Sequence, residues 1–292
     1  MKVYRHIACV VLNYKKYNET IICVDSIRNQ QYQNYSIIII ENGSCNESWE
    51  ILSELYAKSH DVFLIKSDVN LGFAKGNNLG IDYARDILKA EIIFVVNSDV
   101  ILLPNLLLKI NSVSDCKYGV ISPMVFRADG ETFQNPAVNT DDIYVLIDYL
   151  VRHLYIGRFL QLPIIDWIYS QYQYRKKMSV SLTNQKEQNK RYYLQGCSYF
   201  LMPQFFRYYR HLYPNTFLYW EEVNLLVMLD KVGLRAGVLD DAYVIHKEKA
   251  STKALCKKDL NKWILKCSID SYKKSKQMFK EDYQTIKNKY SV

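Results

Sequence analysis

Four continuous apolar runs, each stopping at a polar or glycine-bearing cluster, constrain the fold of this chain more than any other feature. Ile7-Ala-Cys-Val-Val-Leu12 stops at Asn13-Tyr14, and Tyr35-Ser-Ile-Ile-Ile-Ile40 stops at Glu41-Asn-Gly-Ser44. Val62-Phe-Leu-Ile65 is the third run, and Glu91-Ile-Ile-Phe-Val-Val96 stops at Asn97-Ser-Asp99. Runs of this length without alternation fit strands buried on both faces. Helical periodicity fills the gaps, over Glu19 to Gln30, Trp49 to Lys58 and Gly76 to Leu88. Strand and helix in this rhythm predict an α/β fold with a mostly parallel sheet. Ligands of such sheets bind outside the carboxyl ends of the strands, which here is where the polar clusters fall.

Beyond these repeats the pattern predicts a short helix over Pro104 to Val113 and a strand over Tyr118 to Ser122. From about 127 to 191 the alternation breaks down. Ile143 to Tyr155 has helical spacing, and Phe159 to Tyr174 stays apolar and aromatic before Arg175-Lys-Lys177. Regular elements resume with a strand entered through glycine over Tyr193 to Met202, a helix over Glu221 to Val232 and a late strand over Ala242 to His246. Leu255 to Lys280 reads as a basic amphipathic helix with Leu260, Trp263, Ile264 and Cys267 on one stripe. The pattern therefore predicts one α/β domain over 1–250, with 127–191 as a helical insertion, and a helical tail over 251–292.

Composition excludes several classes. The seven cysteines are odd in number and contain no Cys-x-x-Cys, so they predict neither a disulfide frame nor a zinc site. No apolar run reaches the about 18 residues of a spanning helix. The start leads straight into a strand rather than a cleavable leader, which predicts a cytosolic protein. Residues 247–292 carry 13 Lys against 5 Asp and Glu, while the rest balances at 25 of each sign. A basic tail on a neutral body predicts an anionic partner surface. Its apolar stripe with Trp263 suits a lipid interface rather than nucleic acid, the alternative being that the stripe packs on the domain and its lysines are merely solvated. A dehydrogenase-type dinucleotide site is excluded, because no Gly-x-Gly-x-x-Gly follows the first strand.

The chemistry-bearing residues gather at the predicted strand ends. Asn70-Leu-Gly-Phe-Ala-Lys-Gly-Asn-Asn78 places glycines at a helix start, where free backbone N–H groups can face a phosphate. Asp99 can hold a divalent cation through oxygen, and His246 ends another strand. Glu221-Glu222 opens a helix, where the dipole favours an ionised base. Each has an ordinary structural alternative: turn chemistry for Asn13, Tyr14, Glu41 and Asn42, capping for Asn77 and Asn78, a buried imidazole for His246, and first-turn acids for Glu221 and Glu222.

Taken in order, Val10-Val-Leu-Asn-Tyr14, Ile40-Glu-Asn-Gly-Ser44, Asn70 to Asn78, Asn97-Ser-Asp99, Phe217-Leu-Tyr-Trp-Glu-Glu-Val-Asn-Leu225 and Val244-Ile-His246 resemble the inverting family 2 glycosyltransferases, in particular the bacterial rhamnosyltransferase-like branch. The resemblance covers about 1–125 and 192–250. It implies the GT-A fold of nucleotide-diphospho-sugar transferases. It implies a donor site made by Asn13, Tyr14, Glu41, Asn42, Asn70, Gly72, Phe73, Asn77, Asn78 and Asp99. It further implies acceptor contacts at Gly196, Cys197 and Trp220, and a Mg²⁺ or Mn²⁺ ion at Asp99, His246 and Asn97. Glu222, with Glu221 beside it, takes the place of the catalytic base. The implied activity is transfer of a sugar, such as L-rhamnose, to a lipid-linked saccharide acceptor at the inner face of the plasma membrane. Glu41, Asn97, Glu222 and Asn224 depart from the family's usual Asp. These departures keep a second possibility open, a glycosyltransferase-like scaffold without turnover.

Overall fold

A computed structural model describes residues 4–114, 117–128, 143–159, 194–247 and 259–292. The expected aromatic run over Phe159 to Tyr174, the basic Arg175-Lys-Lys177 and the first residues of the tail lie outside these, apart from Phe159. The described elements are β1 (Ile7–Asn13), α1 (Tyr17–Arg28), β2 (Tyr35–Asn42), α2 (Ser48–Tyr56), β3 (Val62–Ser67), α3 (Phe73–Asp86), β4 (Ile92–Asn97), β5 (Val100–Leu102), α4 (Leu106–Ser112), β6 (Tyr118–Arg127), α5 (Ile143–Phe159), β7 (Ser198–Leu201), α6 (Glu221–Lys231), β8 (Arg235–His246), α7 (Leu260–Lys280) and α8 (Tyr283–Tyr290).

These strands form one eight-stranded sheet in the order β3-β2-β1-β4-β7-β6-β8-β5. β1, β2, β3 and β4 pair in parallel, as their apolar runs predict. Ala8, Val10, Ile38, Ile40, Ile93 and Val95 feed one core cluster, and Ile7, Cys9, Val11, Ile37, Ile39, Ile92 and Phe94 feed the other. Alternate residues of each run thus serve opposite layers, which is why the runs cannot alternate with polar residues. Past β4 the sheet changes character. β7 is antiparallel to both β4 and β6, and β5 is antiparallel to β8. The five described cysteines are free.

The α3 entry is fixed by backbone contact. Gly72 has φ +81°, and a Cβ there would stand 2.3 Å from the carbonyl oxygen of Phe217. That carbonyl accepts a hydrogen bond from Phe73 N at 2.8 Å. The helix therefore starts at Phe73, three residues before its expected start, because the 217 segment supplies the acceptor for its first N–H.

The C-terminal helices dock on the core. Ser268, Ser271, Ser275, Met278 and Phe279 of α7 are buried, as are Ile286 and Tyr290 of α8 and the terminal Val292. The Ser271 hydroxyl donates to Leu218 O, and Tyr213 Oη donates to Lys274 O. Trp220 lies against Tyr272 and Phe279 with ring centroids 5.0 and 6.1 Å away. Burial of one large apolar side chain contributes about 1.5–3 kcal/mol. Losing the burial of Met278, Phe279, Ile286, Tyr290 and Val292 together rivals a typical net stability of about 5–15 kcal/mol. Deleting residues 260–292 is therefore expected to abolish cooperative thermal unfolding. A truncated protein that melts cooperatively near the parent temperature would contradict this docking.

Candidate active site

The site is built on two stretches of chain that meet at the carboxyl edge of the parallel strands. The first runs from Gln195 to Ser198, beside β4, where Asn97 N donates to Cys197 O at 2.8 Å. The second runs from Thr216 to Val223. Within it Tyr219 and Trp220 both adopt left-handed backbone, with φ of 70° and 72°. Two consecutive non-glycine residues in that region cost energy that the surrounding contacts must supply. The reversal they produce delivers Glu221 and Glu222 to the first turn of α6.

The 216–223 stretch serves two cavities. Phe217 and Leu218 line a small cavity of about 110 Å³ with Leu12, Tyr14, Asn42, Asn70, Gly72, Phe73, Asn97 and Ser98. Tyr219, Trp220, Glu222 and Val223 line a larger one of about 440 Å³ with Gln195, Leu150, His153 and Leu154 of α5, and Leu265 and Ser268 of α7. Small-molecule sites commonly enclose about 300–1,000 Å³. The larger cavity falls in that range, and the smaller one suits one ring of a ligand that continues along the open strand edge.

The donor candidates divide between cavity and scaffold. Tyr14, Asn42, Asn70, Gly72 and Phe73 line the small cavity together with Asn97. Asn42 also organises it: Nδ2 donates to Asn70 Oδ1 and Gly72 O, and Oδ1 accepts from Leu71 N. Asn13, Glu41, Asn77 and Asn78 are buried and do not line it. Asn13 Oδ1 accepts from the Thr20 hydroxyl, and Glu41 Oε1 accepts from Ser44 N. Asn77 Nδ2 donates to Phe73 O within the helix. Asn78 clasps Leu212, accepting from its N–H and donating to its carbonyl. These four hold the loops whose neighbours line the cleft. Leu12, Ser98, Phe217 and Leu218 also line the small cavity, though the sequence reading singles out none of them; their place inside the matched segments is the available signal.

Asp99 and His246 come together. Val100 pairs with His246 across the β5–β8 ladder, so the preceding Asp99 sits beside the imidazole, with Nε2 3.4 Å from Oδ1. Both are buried. Burial alone would lower the His246 pKa; Asp99 and Cys197 outweigh it and push it up to about 10. Two neighbouring ligands about 2.1 Å from an octahedral ion stand about 3 Å apart, close to the observed separation. Carboxylate oxygen and imidazole nitrogen both suit Mn²⁺, the ion displacing the proton that Asp99 otherwise holds on the imidazole. Among the described residues no group of three His, Cys, Asp or Glu could enclose a metal. The pair therefore fits an ion whose remaining positions go to ligand oxygens and water, the usual arrangement for Mg²⁺ beside phosphates. The Asn97 side chain faces the small cavity rather than adding a charge. Cys197 is buried against Ser198 and His246.

The two glutamates differ in surroundings. Glu222 lines the larger cavity and its Oε1 accepts from Gly196 N at 3.0 Å. Glu221 Oε1 is shut off from solvent without a hydrogen-bond partner. Burial, then the neighbouring Glu222 charge, push the Glu221 carboxyl up to about 8, against its own backbone N–H. Burial also raises Glu222, opposed by its own backbone N–H and that of Gly196. The helix dipole does not prevail here because desolvation of the carboxylate is the larger cost. Glu221 therefore holds its proton longer in the folded state than in the unfolded one. Its contribution is full below about pH 4.5 and is lost as pH rises towards about 8. Glu221→Gln is expected to flatten this fall, gaining stability relative to the parent at pH 8 but not at pH 4. Melting temperatures across that window check it, and parallel slopes in both proteins would contradict it.

The comparison with known proteins follows this geometry. The glycosyl transferase family 2 profile matches residues 8–212. This chain belongs to that family. Its fold is GT-A. It is similar to the *Staphylococcus aureus* TarS 1–349 crystal structure, at TM-score 0.52 and 10% identity, over 98% of this chain and 72% of that one. It is also similar to the mannosyltransferase PcManGT from *Pyrobaculum calidifontis*, solved with GDP-Man and Mn²⁺, at TM-score 0.54 and 11% identity, over 94% and 76%. Among curated relatives, the glycosyltransferase GlyG of *Streptococcus pneumoniae* serotype 4 is 33% identical over 101 residues, 35% of this chain and 32% of GlyG. The putative glycosyltransferase EpsH of *Bacillus subtilis* is 37% identical over 89 residues, 30% of this chain and 24% of EpsH. The matches thus span about a third or less of these relatives.

Proposed function

We propose that this chain is an inverting glycosyltransferase that moves a sugar from a nucleotide-diphosphate donor to a saccharide acceptor. One observation carries the reading: Phe217 and Leu218 line the first cavity and Tyr219, Trp220, Glu222 and Val223 the second, so a donor in the first and an acceptor at Glu222 in the second are neighbours. The nucleoside lies among Tyr14, Asn42, Phe73 and Phe217, and the diphosphate runs towards Asp99 and His246. Asp99 and His246 would hold a divalent ion, which when bound would supply positive charge for the departing diphosphate; Mn²⁺ accompanies GDP-Man in the PcManGT structure. Glu222 accepts the proton of an acceptor hydroxyl while its oxygen bonds to the anomeric carbon. The bond from that carbon to the diphosphate oxygen breaks on the opposite face, so configuration inverts.

The finer reading is a deoxysugar donor such as dTDP-rhamnose and a lipid-linked acceptor in bacterial surface polysaccharide synthesis, supported by the Asn70 to Asn78 resemblance. Peripheral attachment to an anionic inner membrane belongs to the same reading. Exposed Lys262 and Lys266 on α7, with Tyr155 and Ile156 on α5, support it. Among the described residues no helix is long and apolar enough to cross a membrane. The scaffold alternative rests on the departures at Glu41, Asn97, Glu222 and Asn224, of which Asn97 puts no second carboxylate beside Asp99. A panel of nucleotide sugars, assayed for nucleoside-diphosphate release with Mg²⁺ and Mn²⁺, separates the two. Release from at least one donor is expected; none from any donor would favour the scaffold.

A further inference from the structure

Gly196 and Glu222 are fitted to each other. A Cβ at Gly196 would stand 2.2 Å from Glu222 Oε1, 2.7 Å from Cδ and 3.0 Å from Cγ. All three nearest atoms belong to that one side chain. The Gly196 backbone lies outside the left-handed region, so any residue could adopt its conformation. Glycine here leaves space rather than backbone freedom: an added Cβ would push the flexible end of Glu222 out of its place. The space is occupied by the far end of the glutamate, and the Gly196 N–H donates to Oε1 at 3.0 Å. That N–H is itself anchored: the next residue, Cys197, accepts from Asn97 N, and Ser198 pairs with Val96 in β4. The strand edge carrying Asp99 and the carboxylate of Glu222 are thereby referenced to the same backbone.

We propose that Gly196, implied by resemblance to contact the acceptor, is instead a positioning residue for Glu222. Its missing side chain admits the full length of the glutamate, and its N–H fixes one carboxylate oxygen so that the other meets the acceptor hydroxyl. This rests on Glu222 being the base, as proposed above. A carboxylate with three side-chain torsions is otherwise free to turn away from the cavity, and misplacement of a reacting group by about 1 Å can cost about 10²-fold in rate.

Four proteins test the pair: the parent, Gly196→Ala, Glu222→Asp and the double variant. Shortening Glu222 to aspartate withdraws the 2.2 Å contact at Oε1 and leaves a carboxylate atom no farther out than the Cδ position, so the crowding is reduced. Thermal unfolding needs no substrate. Gly196→Ala is expected to lower the melting temperature more in the parent background than in the Glu222→Asp background, where the crowding is smaller and replacing glycine ordinarily stabilises slightly. Equal losses in both backgrounds, or a double variant that does not fold, would overturn the fit. Donor turnover is measured as nucleoside-diphosphate release from GDP-mannose and dTDP-rhamnose. Gly196→Ala is expected to lower kcat about 10²-fold with donor KM unchanged, and the double variant to recover part of that loss. Parent-level kcat in Gly196→Ala would overturn the positioning role even if the stabilities couple. Parent-level turnover in Glu222→Gln would instead overturn Glu222 as the base while leaving the stability coupling intact, so the two failures are distinguishable.

Discussion

Glu222→Gln is expected to lower sugar transfer by about 10²–10⁴-fold, the usual span for loss of a general base. The amide keeps the size of the side chain and can still accept from Gly196 N through its carbonyl oxygen, so the cavity keeps its shape. What it loses is the capacity to take a proton. Nucleotide affinity should stay at the parent value, because Glu222 lines the larger cavity and not the one formed by Tyr14, Asn42 and Phe217. Initial rates of transfer and calorimetric titration with nucleoside diphosphate check the two halves separately. Near-parent transfer by the Gln variant would move the role to Glu221, whose orphaned Oε1 and raised pKa make it the nearest alternative.

Asp99→Ala is expected to remove the metal-dependent part of nucleotide binding altogether. The Asp99 carboxylate is the anionic member of the pair with His246, and without it an imidazole alone faces the cation. Nucleoside-diphosphate affinity in Mn²⁺ should fall to its value in chelator, and turnover should drop by about 10²–10³-fold, the scale of losing one charge-stabilising group. His246→Ala should weaken binding in Mn²⁺ by less, since the carboxylate remains. Calorimetry with and without Mn²⁺ gives the comparison. Equal nucleotide affinity in both conditions for the parent protein would show that the diphosphate is held by protein dipoles instead.

The first half of the fold is legible in the sequence because burial on both faces leaves a mark that no other element leaves. Ile37 to Ile40 have no polar neighbour to alternate with, since both sheet faces are covered. The antiparallel part is less legible. β5 is three residues long and follows Asp99 directly, so nothing local separates it from the preceding turn. Its partner is β8, far along the chain, and only that pairing brings Asp99 to His246. The residue types of the pair could be read from strand ends, but their meeting is a long-range fact. The tail over 251–292 reads as helical, but the break that separates α8 from α7 leaves little mark, because the only buried residues of α8 are Ile286 and Tyr290. Asp282 caps it, accepting from Thr285 N, a signal weaker than an apolar stripe.

α7 is instructive in another way. Its apolar stripe of Leu260, Trp263, Ile264 and Cys267 is only partly buried, while the face that docks is marked by Ser268, Ser271 and Ser275. Small residues allow close approach to the core and escape a search for hydrophobic periodicity. The site residues show the same limit. Asn13 and Glu41 have the chemistry of ligand contacts, but nearby Thr20 and Ser44 claim their oxygens. Trp220 borders the larger cavity, yet its ring is packed against Tyr272 and Phe279, which no local pattern links to it.

The central claim is that one strand-end cleft holds a nucleotide diphosphate between the Tyr14–Phe217 cavity and the Asp99–His246 pair, within reach of Glu222. The most direct measurement is a crystal structure of the full chain grown with Mn²⁺ and a nucleoside diphosphate, with anomalous data at the manganese edge. The account predicts one anomalous peak bound by Asp99 and His246, with phosphate oxygens completing its shell and the base beside Phe217. A nucleotide bound elsewhere, or manganese held away from Asp99, would contradict it.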